Sequence, residues 1–468
     1  MTHSIEPTKL PKNIMAAAWA IALGAIAPML DSTMLTIAIK QLTLEFDASL
    51  DLIQWGITGY VLALAMAVPV AGWLMNRWNG KKIFLGAVLL FGITSILTGI
   101  SWNSTSFILF RFVQGFSAGI ITPLMSTLLV KTAGKENIGR VISIVTTPMI
   151  FGPILGPVLG GFILQIASWR WLFFVNVFVV AIAVPLMHRY IPEFEPFQPD
   201  SQLDGFGIGV LSLLSASLIY GITKASDHAT FNNSETGSYL LIGGGLFLFY
   251  VYHNYRKENQ TVLPLNLFKQ KNYLASSVGL FLANIALMGP MMIFPLFFQT
   301  IRQYNAMGAA IAMIPQGVGM LITRPFIGKT IDKIGAKYVV LISLLVSLIG
   351  SVPLIFVTEK TSAFLLAVLL FIRGMSVGGI NLPLTSDAYT GLSDEQLPEA
   401  GVGITIIENV GSSFGSALIA TAVAAFSITG SSSISAQLNG YHAGFLLSTV
   451  ALILIVLPAL FLTNKQGS

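Results

Sequence analysis

Apolar runs too long for an ordinary soluble core recur along the whole of this chain, and they leave few ways for it to fold. Fourteen can be drawn, at 14–39, 53–75, 82–101, 104–130, 138–166, 171–190, 205–223, 238–255, 273–298, 306–328, 338–357, 362–390, 402–428 and 440–463. At roughly 18–29 residues each, every one is long enough to cross a ~30 Å hydrocarbon core as a helix. Lipid offers backbone N–H and C=O groups no partner, so only helices and closed barrels span it. The runs are continuous rather than alternating, which excludes a barrel, and apolar all round, which excludes helices lying on the surface. Only 10% of the residues are charged, against about 25% in soluble domains. The expectation is an all-α integral membrane protein with 14 transmembrane helices.

Charge orients the spans. Of the 25 Lys and Arg, 17 fall on one side, five (Lys40, Arg170, Lys224, Arg302, Lys360) on the other, and three (Arg111, Arg324, Arg373) lie within or at the ends of spans. Basic loops stay in the cytoplasm, so both termini are expected there. The first run is longer than a signal core, has no small-residue cleavage site and reads as the first span. Two short basic turns resemble each other: Gly72-Trp-Leu-Met-Asn76-Arg77-Trp-Asn-Gly80-Lys81-Lys82 and Gly328-Lys-Thr-Ile-Asp332-Lys333-Ile-Gly335-Ala-Lys337, offset by 256 residues between Gly72 and Gly328. This suggests two six-helix halves, at 1–190 and 261–468, with a linker and two inserted helices at 191–260. Within that linker, Pro192 to Asp204 is acidic and proline-rich and marks the end of the first half.

Asp31 lies inside the first run. A carboxylate at that depth costs at least ~2.5–3.5 kcal/mol unless it is paired or protonated, so such residues usually sit on ion or proton pathways. The alternative is a structural carboxylate bonded to neighbouring helices. Counting ~1.5 Å per residue from the span ends puts Asp31 and Arg111 at similar depths below the outer surface. Each charge needs a partner there, so Arg111 is expected beside Asp31, setting its proton affinity. Asp387, near the inner end of span 12, is a second acid, closer to water, for which a structural or loop role is favoured over a functional one. Asp394, Glu395 and Glu399 read as solvated loop charges. In span 5, Gly152, Pro153, Gly156, Pro157, Gly160 and Gly161 remove backbone hydrogen bonds and let a neighbour come close. Tight packing and a hinge that changes during a cycle both fit this run.

With that run the chain resembles the major facilitator superfamily, and within it the fourteen-span drug/proton antiporters. Further support comes from Leu30-Asp31-Ser-Thr33, from the Gly72–Lys82 loop, from Arg111-Phe-Val-Gln114-Gly115-Phe-Ser-Ala-Gly119 and from Trp169-Arg170-Trp171-Leu-Phe173-Phe-Val-Asn176. The resemblance implies parallel halves rocking about a midplane site, with Gly72, Asn76, Arg77, Asp332 and Lys333 in cytoplasmic gating loops. It also implies a functional acid in span 13, which Glu408 supplies near the cytoplasmic side, as a substrate-binding or second coupling acid alongside Asp387. The chain departs from the pattern at Asn76, where an acid is usual, at Thr36 and Lys40, where Asn and Pro are usual, and at Met320, where some members carry an acid. Matching Gly119 and Pro123 with Gly379 and Pro383 puts Phe371 opposite Arg111, so the halves are electrostatically unequal. Arg373 is then expected to pack structurally or to meet a neighbouring carboxylate.

The expected function is proton-coupled export of hydrophobic, mostly cationic compounds across a bacterial plasma membrane. An apolar cavity supplies loose binding and a carboxylate selects positive charge. Export of an endogenous metabolite, lipid-like molecule or siderophore is an alternative, and a non-transporting sensor is one of another class. The partners expected are small hydrophobic or cationic molecules, protons and the bilayer; no nucleic acid, no metal and no cofactor beyond the coupling proton are expected, and the chain is expected to be a monomer. There are no cysteines for thiolate chemistry, no Gly-rich Lys-Ser/Thr nucleotide loop, and the five histidines are scattered. An enzyme is therefore not expected.

Overall fold

The structure, a computed structural model, describes residues 11–133, 141, 156, 159–199, 204–228, 230–258, 260–426 and 434–464. All regular structure among them is helical. The first half contains α1 (Lys12–Glu45), α2 (Leu50–Arg77), α3 (Gly80–Gly99), α4 (Ser104–Ala133), α5 (described over 159–166) and α6 (Trp171–Tyr190). An inserted pair follows, α7 (Gly205–Asp227) and α8 (Ser234–Arg256). Then come α9 (Lys271–Thr300), α10 (Ala306–Ile334), α11 (Ala336–Ser351), α12 (Ala363–Ala388), α13 (Leu397–Phe426) and α14 (Ile434–Leu454).

Among the described residues, twelve helices are long and apolar enough to cross a membrane. The two expected spans outside that set have different reasons. Only the end of α5 is described, and α8, though 23 residues long, carries three consecutive glycines, Gly243 to Gly245, and the polar His253 and Asn254.

Most helices outrun the apolar windows, because a helix continues beyond the hydrocarbon until something caps it. Ser49, Asn79 and Asn305 cap α2, α3 and α10 with side-chain oxygens. The shift that bears on the site is at α13. A capping box on Ser393 and a short turn, Asp394–Gln396, launch this helix at Leu397, five residues before the expected start. One expectation changes with it. Glu399 is not a solvated loop charge but sits in the first turn of α13, only 9% exposed. Glu408 lies about 11 residues, or ~16 Å, along the helix from that start.

Within the first half α2 packs on α4, α3 on α4 and α6, and α1 on α6; within the second, α10 and α11 pack on α12, and α9 on α13 and α14. Glycines set the closest of these approaches. A Cβ on Gly115 would lie 2.8 Å from Cα of Tyr60, and one on Gly374 would lie 2.9 Å from Cα of Gln316. Tyr60 and Gln316 are 256 residues apart, the same offset as the two basic loops, while Gly115 and Gly374 are 259 apart. This contact register puts Leu370, rather than Phe371, opposite Arg111, and makes Arg373 the counterpart of Gln114.

The halves meet at the end that bears the basic loops, called here the inner end. Thr127 donates to the Leu397 carbonyl at 3.5 Å, and Lys131 pairs with Asp394 at 3.7 Å. A Cβ on Gly72 would stand 2.6 Å from Val402. Helix α7 lies against both α2 and α13: Ser212 donates to the Met66 carbonyl at 2.7 Å, Tyr220 stacks on Trp55 at 5.9 Å, and Ile222 and Ala225 pack with Ala417.

Candidate functional site

Asp31 on α1 is 2% exposed and accepts hydrogen bonds on both carboxylate oxygens. Oδ2 is ion-paired to the Arg111 guanidinium on α4. Oδ1 accepts from Asn176 on α6 at 2.9 Å and from Gln114 on α4 at 3.3 Å. Gln114 in turn accepts from Arg111 at 2.9 Å and donates to Ser95 on α3 at 2.8 Å. Arg111 Nε reaches the Gly56 carbonyl at 3.1 Å, and its guanidinium lies over the Tyr60 ring, 4.1 Å from the centroid. Side chains from α1, α3, α4 and α6 are thus joined through one carboxylate, with α2 contributing a carbonyl and an aromatic face. A low-dielectric interior strengthens each of these bonds, provided all are made.

Sequence reasoning brought Asp31 and Arg111 together but gave no role to Gln114, Asn176, Ser95 or Tyr60. A signal existed for Gln114: it follows Arg111 by three residues and so shares its helix face. The others reach the site from separate helices, and no local pattern points to them.

Glu408 on α13 is half-buried, and no hydrogen bond or ion pair among the described residues holds it. It does not join the Asp31 cluster. Asp387 is buried and turned the other way, accepting hydrogen bonds from the backbone N–H and hydroxyl of Thr463 after α14. The structure therefore does not bring Asp387 to Asp31 or Glu408 but uses it to fix the segment beyond α14. Arg373, 1% exposed, donates to the Ala286 carbonyl at 2.8 Å and lies 5.2 Å from the Phe294 centroid. Among the described residues no carboxylate pairs with it.

Of the span 5 run, Gly152, Pro153 and Pro157 lie outside the described residues. Gly156 packs on α1, where a Cβ would stand 2.9 Å from Cβ of Thr33, and Gly160 packs against Met34. Gly161 has open space where its Cβ would be, so close approach does not explain that glycine. In the gating loops, Gly72 faces Val402 across the halves and Arg77 donates to the Pro199 carbonyl. Asn76 is buried with its side-chain oxygen unpartnered. Lys333 is exposed, and the side chain of Asp332 lies outside the described residues.

Similarity to known proteins extends over nearly the full length. The profile of the Major Facilitator Superfamily matches residues 21–420. The chain belongs to the Major Facilitator Superfamily. It is 27% identical over 499 residues to a protein named "Multidrug resistance protein B homolog" from Mycobacterium tuberculosis, covering 99% of this chain and 92% of that one. It is also 27% identical over 404 residues to "Multidrug export protein EmrB" of Escherichia coli K12, covering 86% and 78%. Among solved structures, the proton:xylose symporter XylE superposes with a TM-score of 0.65 at 16% identity, covering 98% of this chain and 97% of that one. The human organic anion transporter MFSD10 gives 0.64 at 13% identity, covering 96% and 99%. These structural likenesses carry the fold alone. As a member of the superfamily the chain is a multi-pass membrane protein, built on a transporter fold.

Proposed function

We propose that this chain exports hydrophobic, mostly cationic drugs or toxic compounds from the cytoplasm in exchange for protons, and that it is not an enzyme. The observation that carries this reading is the pair of intramembrane acids in opposite situations, Asp31 enclosed by donors and Glu408 half-buried with no hydrogen-bond or ion-pair partner among the described residues. Relatives named for multidrug resistance and export support the cargo. Asp31 is assigned to the proton. As an anion it ties α1 to α4 and α6; taking up a proton removes the attraction to Arg111 and loosens α1 from both. Glu408 is assigned to the cargo, since an acid with no cation of its own attracts one from the ligand. Proton and cargo are then linked because each changes the arrangement that the other meets.

On the same reading, residues 1–190 and 261–468 are the moving halves, with 191–260 as connector, and the chain works as a monomer with both termini in the cytoplasm. No nucleotide, metal or other cofactor is called for. The experiment is cation uptake into energised inside-out vesicles by the parent, Asp31→Asn and Glu408→Gln. Asp31→Asn should abolish uptake that a protonophore dissipates in the parent. Glu408→Gln should lower uptake of cations more than that of neutral compounds. An unchanged profile across charged and neutral drugs removes Glu408 from the cargo site, and uphill uptake by Asp31→Asn removes Asp31 from coupling. Uptake of neither drugs nor any competing metabolite by the parent would sink the export reading itself.

A further inference from the structure

The stretch after α6, Ile191-Pro-Glu193-Phe194-Glu-Pro-Phe197-Gln198-Pro199, cannot continue a helix, because prolines at 192, 196 and 199 lack the N–H that a helix interior needs. It crosses the inner end of the first half as an extended strap. Phe194 and Phe197 are buried, and the Lys131 ammonium lies 4.2 Å from the centroid of the Phe197 ring. Glu193 pairs with Lys81 at 3.1 Å and accepts from Asn79 at 2.7 Å; the Lys81 hydrogen bond, with that of Asn79, holds its carboxyl below the ordinary carboxylate value. Backbone N–H groups of Phe197 and Gln198 donate to the carbonyls of Met75 and Asn76 at 3.4 and 3.0 Å, and Arg77 donates to the Pro199 carbonyl. The strap is thus fixed to the first half along its length.

One side chain leaves it for the second half. Gln198 Nε2 donates to the Glu395 carbonyl at 3.1 Å and to Glu399 Oε1 at 3.4 Å, in the turn that opens α13. Glu399 is the buried acid that sequence reading left in a solvated loop. Beside it the end of α2 carries Asn76, a neutral residue with an unpartnered oxygen, so the carboxylate at this contact belongs to α13 and its donor to the strap.

We propose that Gln198 is a positioning residue, a latch whose amide holds the inner end of the transporter shut by bridging the first half to Glu399 and the Glu395 carbonyl. The inference rests on the chain being a carrier whose halves separate at this end, but not on the identity of the cargo or on proton coupling. Opening toward the cytoplasm carries α13 away from α2 and α4 and must break both bonds. With both carboxyls ionised, a glutamate at 198 would face Glu399 and the Glu395 carbonyl with acceptors only, favouring the open state.

The chain has no cysteine, so a single introduced thiol reports without background. Ser126→Cys places it half-buried on α4, deeper than Lys131, behind the Thr127–Leu397 contact. Labelling with a charged, membrane-impermeant maleimide in inside-out vesicles reads opening of the inner end. Q198E should raise the labelling rate about three- to tenfold, the range expected when one ordinary hydrogen bond is lost. Q198E/E399Q restores a donor–acceptor pair at 399 with the roles exchanged, though not the bond to the Glu395 carbonyl, and should bring the rate clearly back toward the parent's. A Q198E rate equal to the parent's overturns the latch, as does a double variant as open as Q198E. Should Q198E fail to insert, Q198A carries the test, with faster labelling expected and an unchanged rate overturning the proposal. Absent efflux in the parent leaves the labelling result standing and counts only against the export reading.

Discussion

Asp31 is enclosed more completely than its charge alone requires, with donors on both oxygens and a guanidinium stacked on a ring. Such a pair is costly to break from one side, because the residue left behind is an uncompensated charge worth about 3–5 kcal/mol. The sequence alone suggests that Asp31→Asn would silence coupling and leave the fold untouched; the network argues otherwise. Asp31→Asn should lose coupling and also lower the midpoint of thermal unfolding in detergent. Asp31→Asn combined with Arg111→Gln should recover most of that stability while remaining uncoupled. A single variant as heat-stable as the parent would mean that the pair contributes little to the fold.

Helix α5 meets α1 through Gly156 and Gly160 at Thr33 and Met34, within one turn of Asp31. Bulk at that contact pushes directly on the helix that carries the coupling acid. Gly156→Leu should cost about 1–3 kcal/mol through overpacking and slow transport, with the protein still inserted; full transport by this variant would place the run away from α1. At this scale the sequence was informative where a pattern is local. Apolar runs located the helices, α6 to the residue, and depth counting along α1 and α4 brought Asp31 to Arg111. It was uninformative where charge ends an apolar window although the helix goes on, which is why Glu399 reads as a loop charge in the sequence and as part of α13 in the structure. It was equally silent on the strap, because Pro192 to Pro199 has no periodicity to indicate that Phe194 and Phe197 are buried. The repeat itself slips by one residue between Gly119 and Gly115, since small residues recur every fourth position and either pair of glycines fits the sequence.

Across the whole molecule the closed inner end depends on how near α2 comes to α13, and Gly72 sets that distance against Val402. Gly72→Leu should hold the halves apart there. With the thiol at position 126, labelling from the inner side should quicken and efflux should slow together; unaltered labelling would show that the two helices can close around the added side chain. Helix α7 has a different bearing on the same geometry. It touches α2 through Ser212 and Tyr220 and α13 through Ile222 and Ala225, so any relative motion of the halves has to slide along it. On that flank the seam is filled by protein. A solute dissolved among the acyl chains meets a wall there, so entry from the bilayer to the interior is barred along the length that α7 covers.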